Sequence, residues 1–295
     1  MRVTLAYITV ILLWATTPLA IKWSSEQAGF LFGVTARMSI GIICILPLLL
    51  LARQRLPQHK KALLTYMAVA LQIYGAMLVV YWGAQFIASG WISVIFGLSP
   101  FITALLAAIF LKERSLSLLK LVSYLLGIGG LVIIFHSALH LGNNSELGIV
   151  AVLISTIIQS TSAILVKKIN AKLPALTQVA GGLAIAVPLY LITWFIIDNG
   201  ELPLELSVIS FGSILYLGMI ATTLGFAFYY YILTHLSATR VALIPLITPV
   251  MALFIGNTFN QEPLTTDVIN GTALILSALL LHEFSHWLGL KKNSV

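Results

Sequence analysis

The chain is 295 residues long, with 60% hydrophobic and 8% charged residues and a mean hydropathy of +1.04. So little polar surface cannot cover a water-soluble globule of this length, which excludes an ordinary soluble domain and predicts lipid as the solvent. The net charge of +7 comes from short basic clusters between apolar runs, a pattern that does not suit a nucleic-acid partner. The single cysteine, Cys44, excludes an intrachain disulfide and a cysteine-based metal site.

Apolar stretches long enough to cross a bilayer recur along the whole chain. About 20 residues of α-helix span about 30 Å of hydrocarbon, and no segment alternates like a barrel strand. The sequence therefore predicts an all-α integral membrane protein with ten transmembrane helices. In chain order these helices lie roughly at 3–21, 30–52, 63–86, 88–111, 118–136, 147–166, 174–197, 208–232, 240–260 and 266–288.

The charged loops orient the predicted helices, because lysine and arginine in short loops stay on the cytoplasmic side. Loops on one side carry nearly all of the basic residues, whereas the other side carries Lys22 and most of the acidic residues. This bias predicts a multi-pass protein of the bacterial inner membrane with both termini in the cytoplasm. All 9 acidic residues lie in loops or near helix ends, so no carboxylate is expected at mid-membrane for a proton relay.

The two halves of the chain repeat one another. A shift of 149 residues places Tyr81 on Tyr230, Pro100 on Pro249 and Glu113 on Glu262. We therefore expect a first five-helix repeat at 1–140, a second at 141–290 and a short cytoplasmic tail at 291–295. Because five is odd, the repeats must be inverted, and inverted repeats can exchange inward-open and outward-open packings around a shared site by alternating access.

Several motifs are similar to those of one transporter family. They are LLWATTPLAIK in the first helix, TARMSIG around Arg37, the paired segments GLSPFITALLAAIFLKE and LITPVMALFIGNTFNQE, and the glycines Gly129, Gly130 and Gly271. Over nearly its whole length the chain resembles the EamA-type transporters of the drug/metabolite transporter (DMT) superfamily. This resemblance implies a central cavity lined by helices one, three, four, six, eight and nine, with helices five and ten at the periphery.

Polar, aromatic and proline residues at helical spacing mark a candidate substrate site. Tyr74 and Tyr81 share a face of the predicted third helix, and prolines in helices four and nine release a backbone carbonyl near mid-membrane. Such residues equally serve as interface anchors, gap fillers or packing elements, so both interpretations stand. The candidate substrate-binding residues are Trp14, Thr17, Arg37, Tyr74, Tyr81, Ser93, Phe96, Pro100, Gln159, Thr223, Tyr230 and Pro249.

Arg37 is the most informative charge, because it lies several residues inside the predicted second helix. An arginine in a membrane helix costs about 2.5–3.5 kcal/mol unless it is paired or hydrated. A substrate carboxylate or phosphate would compensate the charge, and the alternative is snorkelling to the outer interface towards Glu26 or a carbonyl. Our hypothesis is that Arg37 biases the entrance towards anions or zwitterions.

His282, Glu283 and His286 spell HEFSH, which matches the H-E-x-x-H pattern of zinc metalloproteases. The motif occupies the last turn of the final helix and no third protein ligand is evident, so an intramembrane zinc protease is only the alternative function.

The main prediction is a secondary transporter that exports small amphipathic metabolites, such as amino acids or related compounds, and that is not an enzyme. Its expected partners are a small-molecule substrate and the lipid bilayer; a homodimer is left open, and no cofactor is expected.

Overall fold

The computed structural model describes residues 2–110, 118–141, 144–225, 228, 232 and 244–292. Every regular element within these ranges is a helix. The helices in chain order are α1 (Arg2–Ser25), α2 (Phe30–Leu51), α3 (Lys60–Gly83), α4 (Ser89–Phe110), α5 (Leu118–Leu141), α6 (Ser145–Ile169), α7 (Ala175–Ile197), α8 (Val208–Leu224), α9 (Ile244–Asn260) and α10 (Thr266–Lys292).

In the described ranges, 6 helices are long and apolar enough to cross a membrane, namely α1, α2, α3, α4, α6 and α7. Shorter apolar stretches occupy Leu121–Ser137 in α5, the whole of α8, and Thr266–His282 in α10. These findings confirm the all-α membrane fold that the composition predicts. The total of ten transmembrane helices stays a prediction.

The outward faces of the helices are apolar, as a lipid environment requires. In α2, Ile43 and Leu50 are 67% and 75% exposed, and in α7, Phe195 and Ile196 are 69% and 73% exposed. A water-soluble protein rarely leaves contiguous surfaces of such residues uncovered. The exposed belt therefore faces hydrocarbon, and the chain is a multi-pass membrane protein.

The helices pack in pairs that are related by exchanging the first five helices for the last five. α2 packs against α7, α4 against α9, and α5 against α10. The contact of α1 with α8 and α9 has its counterpart in the contact of α6 with α3 and α4. In the same way, α3 packs against α7 and α8 packs against α2. A duplicated five-helix unit predicts this exchange of partners.

α5 and α10 form the most extensive helix pair, at the edge of the bundle, and their backbones approach closely at two glycines. A Cβ atom built on Gly130 would lie 2.6 Å from the carbonyl oxygen of Gly271, and one on Gly271 would lie 2.7 Å from that of Gly130. Only hydrogen atoms fit between these backbones. Small residues that permit such an approach are the usual basis of helix association in membranes.

This crossing predicts that Gly130→Ala destabilises the protein, because the added methyl group forces α5 and α10 apart. We expect a loss of about 1–3 kcal/mol, the usual cost of overpacking, measured as a lower thermal midpoint in detergent. Gly129→Ala is the matched control, since its Cβ would meet Leu274 at an ordinary 3.4 Å. Equal midpoints for the two variants would contradict the close crossing at Gly130.

Candidate functional site

A cavity of about 400 Å³ lies at the centre of the bundle. It is lined by α1, α2, α3, α4, α6, α7, α8 and α9, whereas the described parts of α5 and α10 contribute none of its lining residues. The wall therefore includes all six helices that the family resemblance implies, and α2 and α7 as well. Its polar lining residues are Thr17, Arg37, Gln72, Ser93, Ser99, Gln159, Thr222 and Thr248.

A second groove, of about 460 Å³, is more open and lies at one end of the bundle, beside α3 and the loop after α6. Its lining includes Thr65, Lys167, Asn170, Lys172 and Gln178. This groove involves few helices and lies among exposed basic residues of the bundle end. The central cavity is the candidate functional site, because eight helices from the two halves of the chain build it at the centre of the bundle.

The structure brings many of the predicted substrate-binding residues to the cavity wall. Those that line the cavity are Trp14, Thr17, Arg37, Ser93, Phe96 and Gln159. Those that the described structure places outside the lining are Tyr74, Tyr81, Pro100, Thr223 and Pro249. Tyr230 lies outside the described residues. A role in substrate binding is a prediction for every one of them.

Arg37 projects into the protein rather than towards the membrane interface. Only 7% of the residue is exposed, its Nε donates to Thr222 Oγ1 at 3.2 Å, and its Nη1 donates to the Tyr81 hydroxyl at 3.4 Å. The guanidinium carbon lies 5.9 Å from the centre of the Tyr81 ring. No acidic side chain among the described residues pairs with Arg37. A positive charge held by two neutral hydroxyls therefore faces the cavity without a counter-ion from the described chain.

One turn of α3, Leu71–Ala76, is a π-helix that lies against this cavity. The N–H of Met77 donates to the carbonyls of Gln72 and Tyr74 and bypasses that of Ile73. The hydroxyl of Tyr190, which is fully buried on α7, donates to the Ile73 carbonyl at 2.8 Å and to that of Tyr74 at 3.1 Å. Tyr190 thus satisfies the carbonyl that the π-turn releases, and such turns are frequent at functional sites.

A second π-helical segment, Tyr216–Leu224, lies in α8 and includes the partner of Arg37. Its N–H bonding is also shifted, because Gly225 N–H donates to the carbonyl of Ile220, five residues earlier. The Thr223 hydroxyl donates to the Gly218 carbonyl at 3.1 Å inside the same segment. The predicted residue Thr223 therefore supports the backbone of α8, and its neighbour Thr222 carries the contact with the cavity.

Tyr74 also has a packing role. Its hydroxyl shares a 2.6 Å hydrogen bond with Thr193, and its ring meets the ring of Tyr190 edge to face at a centroid distance of 4.9 Å. These contacts fasten α3 to α7. They correspond to the gap-filling interpretation that the sequence left open for this tyrosine.

α4 is interrupted at Gly97 and Leu98, beside the cavity. Pro100 has no N–H to donate to the Phe96 carbonyl, and Phe101 N–H donates to the Leu98 carbonyl instead of to that of Gly97. The interruption follows from the proline that the sequence analysis singled out. Phe96 and Gly97, whose carbonyls lose their α-helical partners in this way, both line the cavity.

Sequence reasoning missed four polar residues of the wall, namely Gln72, Ser99, Thr222 and Thr248. For Ser99 and Thr248 a signal was available, because each directly precedes one of the two prolines that the repeat places at matching positions. Gln72 and Thr222 lie in the π-helical segments, where the spacing of an ordinary helix does not predict which residue faces inward.

His282 of the HEFSH motif is buried between aromatic rings of α4 and α5. The imidazole lies 5.3 Å from the ring of Phe101 and 5.7 Å from that of Tyr124. The side chains of Glu283 and His286 lie outside the described residues. Within the described ranges no three histidine, cysteine or acidic side chains cluster as metal ligands, so nothing in that part of the structure supports the protease alternative.

The sequence model of the EamA-like transporter family matches residues 1–136 and, a second time, residues 146–282. The chain belongs to the EamA-like transporter family. The resemblance seen in the proline-containing segments and around Arg37 is thereby confirmed. Family membership makes the protein a membrane transporter of the DMT type, which is generally not an enzyme.

Two relatives of this EamA-like transporter have a similar length and are themselves named as transporters. Over 201 residues it is 30% identical to an uncharacterized transporter of Archaeoglobus fulgidus. The aligned region covers 68% of this chain and 69% of that protein. The chain is 24% identical over 286 residues to the uncharacterized transporter YoaV of Bacillus subtilis, covering 96% of this chain and 97% of YoaV. The crystal structure of another protein superposes on this chain with a TM-score of 0.67 and 18% sequence identity. The match covers 95% of this chain and 96% of the other chain, which supports the fold.

Proposed function

We propose that this EamA-like transporter is a secondary carrier that exports small amphipathic metabolites, such as amino acids or related compounds, by alternating access around the central cavity. The observation that carries the proposal is the buried guanidinium of Arg37, held by neutral groups at the wall of that cavity. Burying an unpaired charge is costly, so a ligand carboxylate that pairs with it would be bound strongly.

The remainder of the wall suits an amphipathic ligand. Trp14, Ile21, Met77, Ile92 and Phe96 present an apolar surface to the same cavity. A small-molecule site is commonly apolar with a few polar groups that fix the orientation of the ligand. A metabolite with one carboxylate and an apolar body therefore matches the composition of this wall.

The proposed mechanism depends on two inverted repeats, 1–140 and 141–290. Supporting this, the family model matches the chain twice, and the helix pairs of one half have counterparts in the other. Helix interruptions next to the cavity, at Gly97 and in the two π-helical segments, are suitable hinges. The charge bias of the loops supports the bacterial inner membrane with both termini in the cytoplasm.

The proposal predicts solute counterflow in proteoliposomes that contain the purified protein. Vesicles preloaded with an unlabelled amino acid should accumulate the same labelled amino acid, whereas protein-free vesicles should not. Sugars, nucleosides and cationic drugs form the comparison panel, and the unpaired Arg37 predicts that the cationic drugs are not exchanged. Absence of counterflow for every class would contradict the carrier, and selective exchange of cations would contradict the assigned substrate class.

A further inference from the structure

Two glutamines, one on α3 and one on α6, line the wall of the central cavity. Ser155 Oγ donates to the Ala76 carbonyl at 2.8 Å, and Ser162 Oγ donates to the Ala68 carbonyl at 2.6 Å. These two bonds fix the antiparallel register of α3 against α6. Gln72 lies midway between Ala68 and Ala76, and Gln159 lies between the two serines, so the glutamines occupy the same level of the helix pair.

Both glutamines line the cavity and are half-buried. Within the described residues neither amide makes a hydrogen bond to the protein, whereas Thr17 and Thr222 on the same wall are both bonded. A glutamine amide can accept through its oxygen and donate two hydrogens, and this capacity is normally used where the amide is shielded from water. The unused capacity of Gln72 and Gln159 is therefore directed to whatever fills the cavity.

The charge of the wall restricts what the glutamines can bind. Among the described residues that line the cavity, Arg37 alone is charged, and no carboxylate lies beside it in that lining. Once one carboxylate of the ligand pairs with Arg37, the described lining offers no second cation to another anionic group. A hydrogen-bond donor on the ligand would find neutral acceptors in the two amide oxygens, without the desolvation that a buried carboxylate requires.

We propose that Gln72 and Gln159 form a second subsite that accepts hydrogen bonds from the amino group of a substrate whose carboxylate pairs with Arg37. This inference rests on the proposed function, because it concerns the same cavity, and it assigns the selection of aminated over deaminated acids to these two side chains. The π-turn held by Tyr190 includes Gln72 and thereby sets its position at the cavity.

The test compares phenylalanine and leucine with their deaminated analogues, 3-phenylpropanoate and 4-methylpentanoate. Dissociation constants are measured by titration calorimetry on the purified full-length protein in detergent. We expect each amino acid to bind about tenfold more tightly than its analogue, the effect of one additional net hydrogen bond. Replacing both glutamines by methionine should abolish this preference and leave the affinity for the analogues unchanged.

Controls separate recognition from a structural effect. Gln72→Ala with Gln159→Ala is a second variant that removes the amides without adding bulk, and it should give the same result. Gln85→Ala, which removes an exposed amide from the turn after α3, should retain the tenfold preference. The subsite would be overturned if the preference for amino acids survived the loss of both amides. It would also be overturned if the variants bound the amino acids and their deaminated analogues more weakly by the same factor.

Two further outcomes distinguish this inference from the proposed function. If neither amino acid binds while another solute shows counterflow, the glutamine subsite is overturned and the carrier stands. If amino acids bind in the glutamine-dependent way and no solute shows counterflow, the subsite stands and transport is contradicted.

Discussion

Arg37→Gln is expected to weaken counterflow of carboxylate-bearing solutes about 10- to 100-fold, because a charge-assisted hydrogen bond inside a protein contributes about 1.5–3 kcal/mol. The loss should appear mainly as a higher KM, since in the proposed mechanism the guanidinium binds the solute before any conformational change. Solutes without a carboxylate should be unaffected. Counterflow in proteoliposomes at matched protein content measures both effects.

Expression and thermal stability should be retained in this variant. Removing one member of a buried ion pair strands the opposite charge, but the described partners of Arg37 are the neutral hydroxyls of Thr222 and Tyr81. Glutamine can still donate to one of them. A large fall in the thermal midpoint would show that Arg37 serves the fold, and the proposed anion subsite would then lose its support.

Two further arginine variants serve as comparisons for Arg37→Gln. Arg37→Lys keeps the positive charge and loses the planar fork, so we expect an intermediate KM. Arg55→Gln removes an arginine from the exposed loop between α2 and α3, and counterflow should not change. Equal counterflow in the wild type and in Arg37→Gln would contradict the assignment of the carboxylate to this residue.

Helix positions could be predicted well because they depend on one-dimensional properties of the sequence. The predicted stretch 30–52 corresponds to Phe30–Leu51, and 174–197 corresponds to Ala175–Ile197. In both segments, apolar length and flanking polar residues define the ends. Arg37 could be singled out from the sequence on the same basis, since a charged residue inside an apolar run is visible without any knowledge of the packing.

The inward faces of α3 could not be predicted in the same way. The spacing of an ordinary helix groups Tyr74 with Tyr81, but the π-turn between Leu71 and Ala76 inserts an extra residue and rotates one part of the helix against the other. In the structure Tyr74 packs against α7, and Gln72, inside the π-turn, lines the cavity. The turn is satisfied by Tyr190, which is 117 residues away from Ile73 along the chain.

Glu262→Ala is expected to destabilise the protein more than any other variant considered, by about 3–5 kcal/mol, because it leaves several buried hydrogen-bond donors without an acceptor, each at a cost of about 1–3 kcal/mol. Glu262 follows α9, is 6% exposed, and accepts hydrogen bonds from Ser89 N and Ser89 Oγ, each at 2.9 Å. It also accepts from Gly90 N at 3.3 Å, and Lys22 Nζ lies 3.6 Å away. One carboxylate thus satisfies the free amides at the start of α4 and joins it to α1 and α9.

The alanine variant leaves the two amides and the Ser89 hydroxyl without this acceptor, and among the described residues Lys22 keeps only its hydrogen bond to the Ile87 carbonyl. For a protein of this size we expect the thermal midpoint in detergent to fall by about 6–20 °C, at roughly 2–4 °C per kcal/mol. Glu262→Gln keeps one oxygen acceptor and should fall between the alanine variant and the wild type. Glu205→Ala, which removes an exposed carboxylate from the loop before α8, is the matched control and should leave the midpoint unchanged.

Gly256 provides an independent probe of the same contact, because a Cβ atom at this position would collide with a carboxylate oxygen of Glu262. Gly256→Ala should therefore displace the carboxylate from the start of α4 and lower the midpoint in the wild-type background. In the Glu262→Ala background the collision is absent, so the second substitution should have a much smaller effect. Additive effects of the two substitutions would contradict the claim that the Glu262 carboxylate holds α4 to α9.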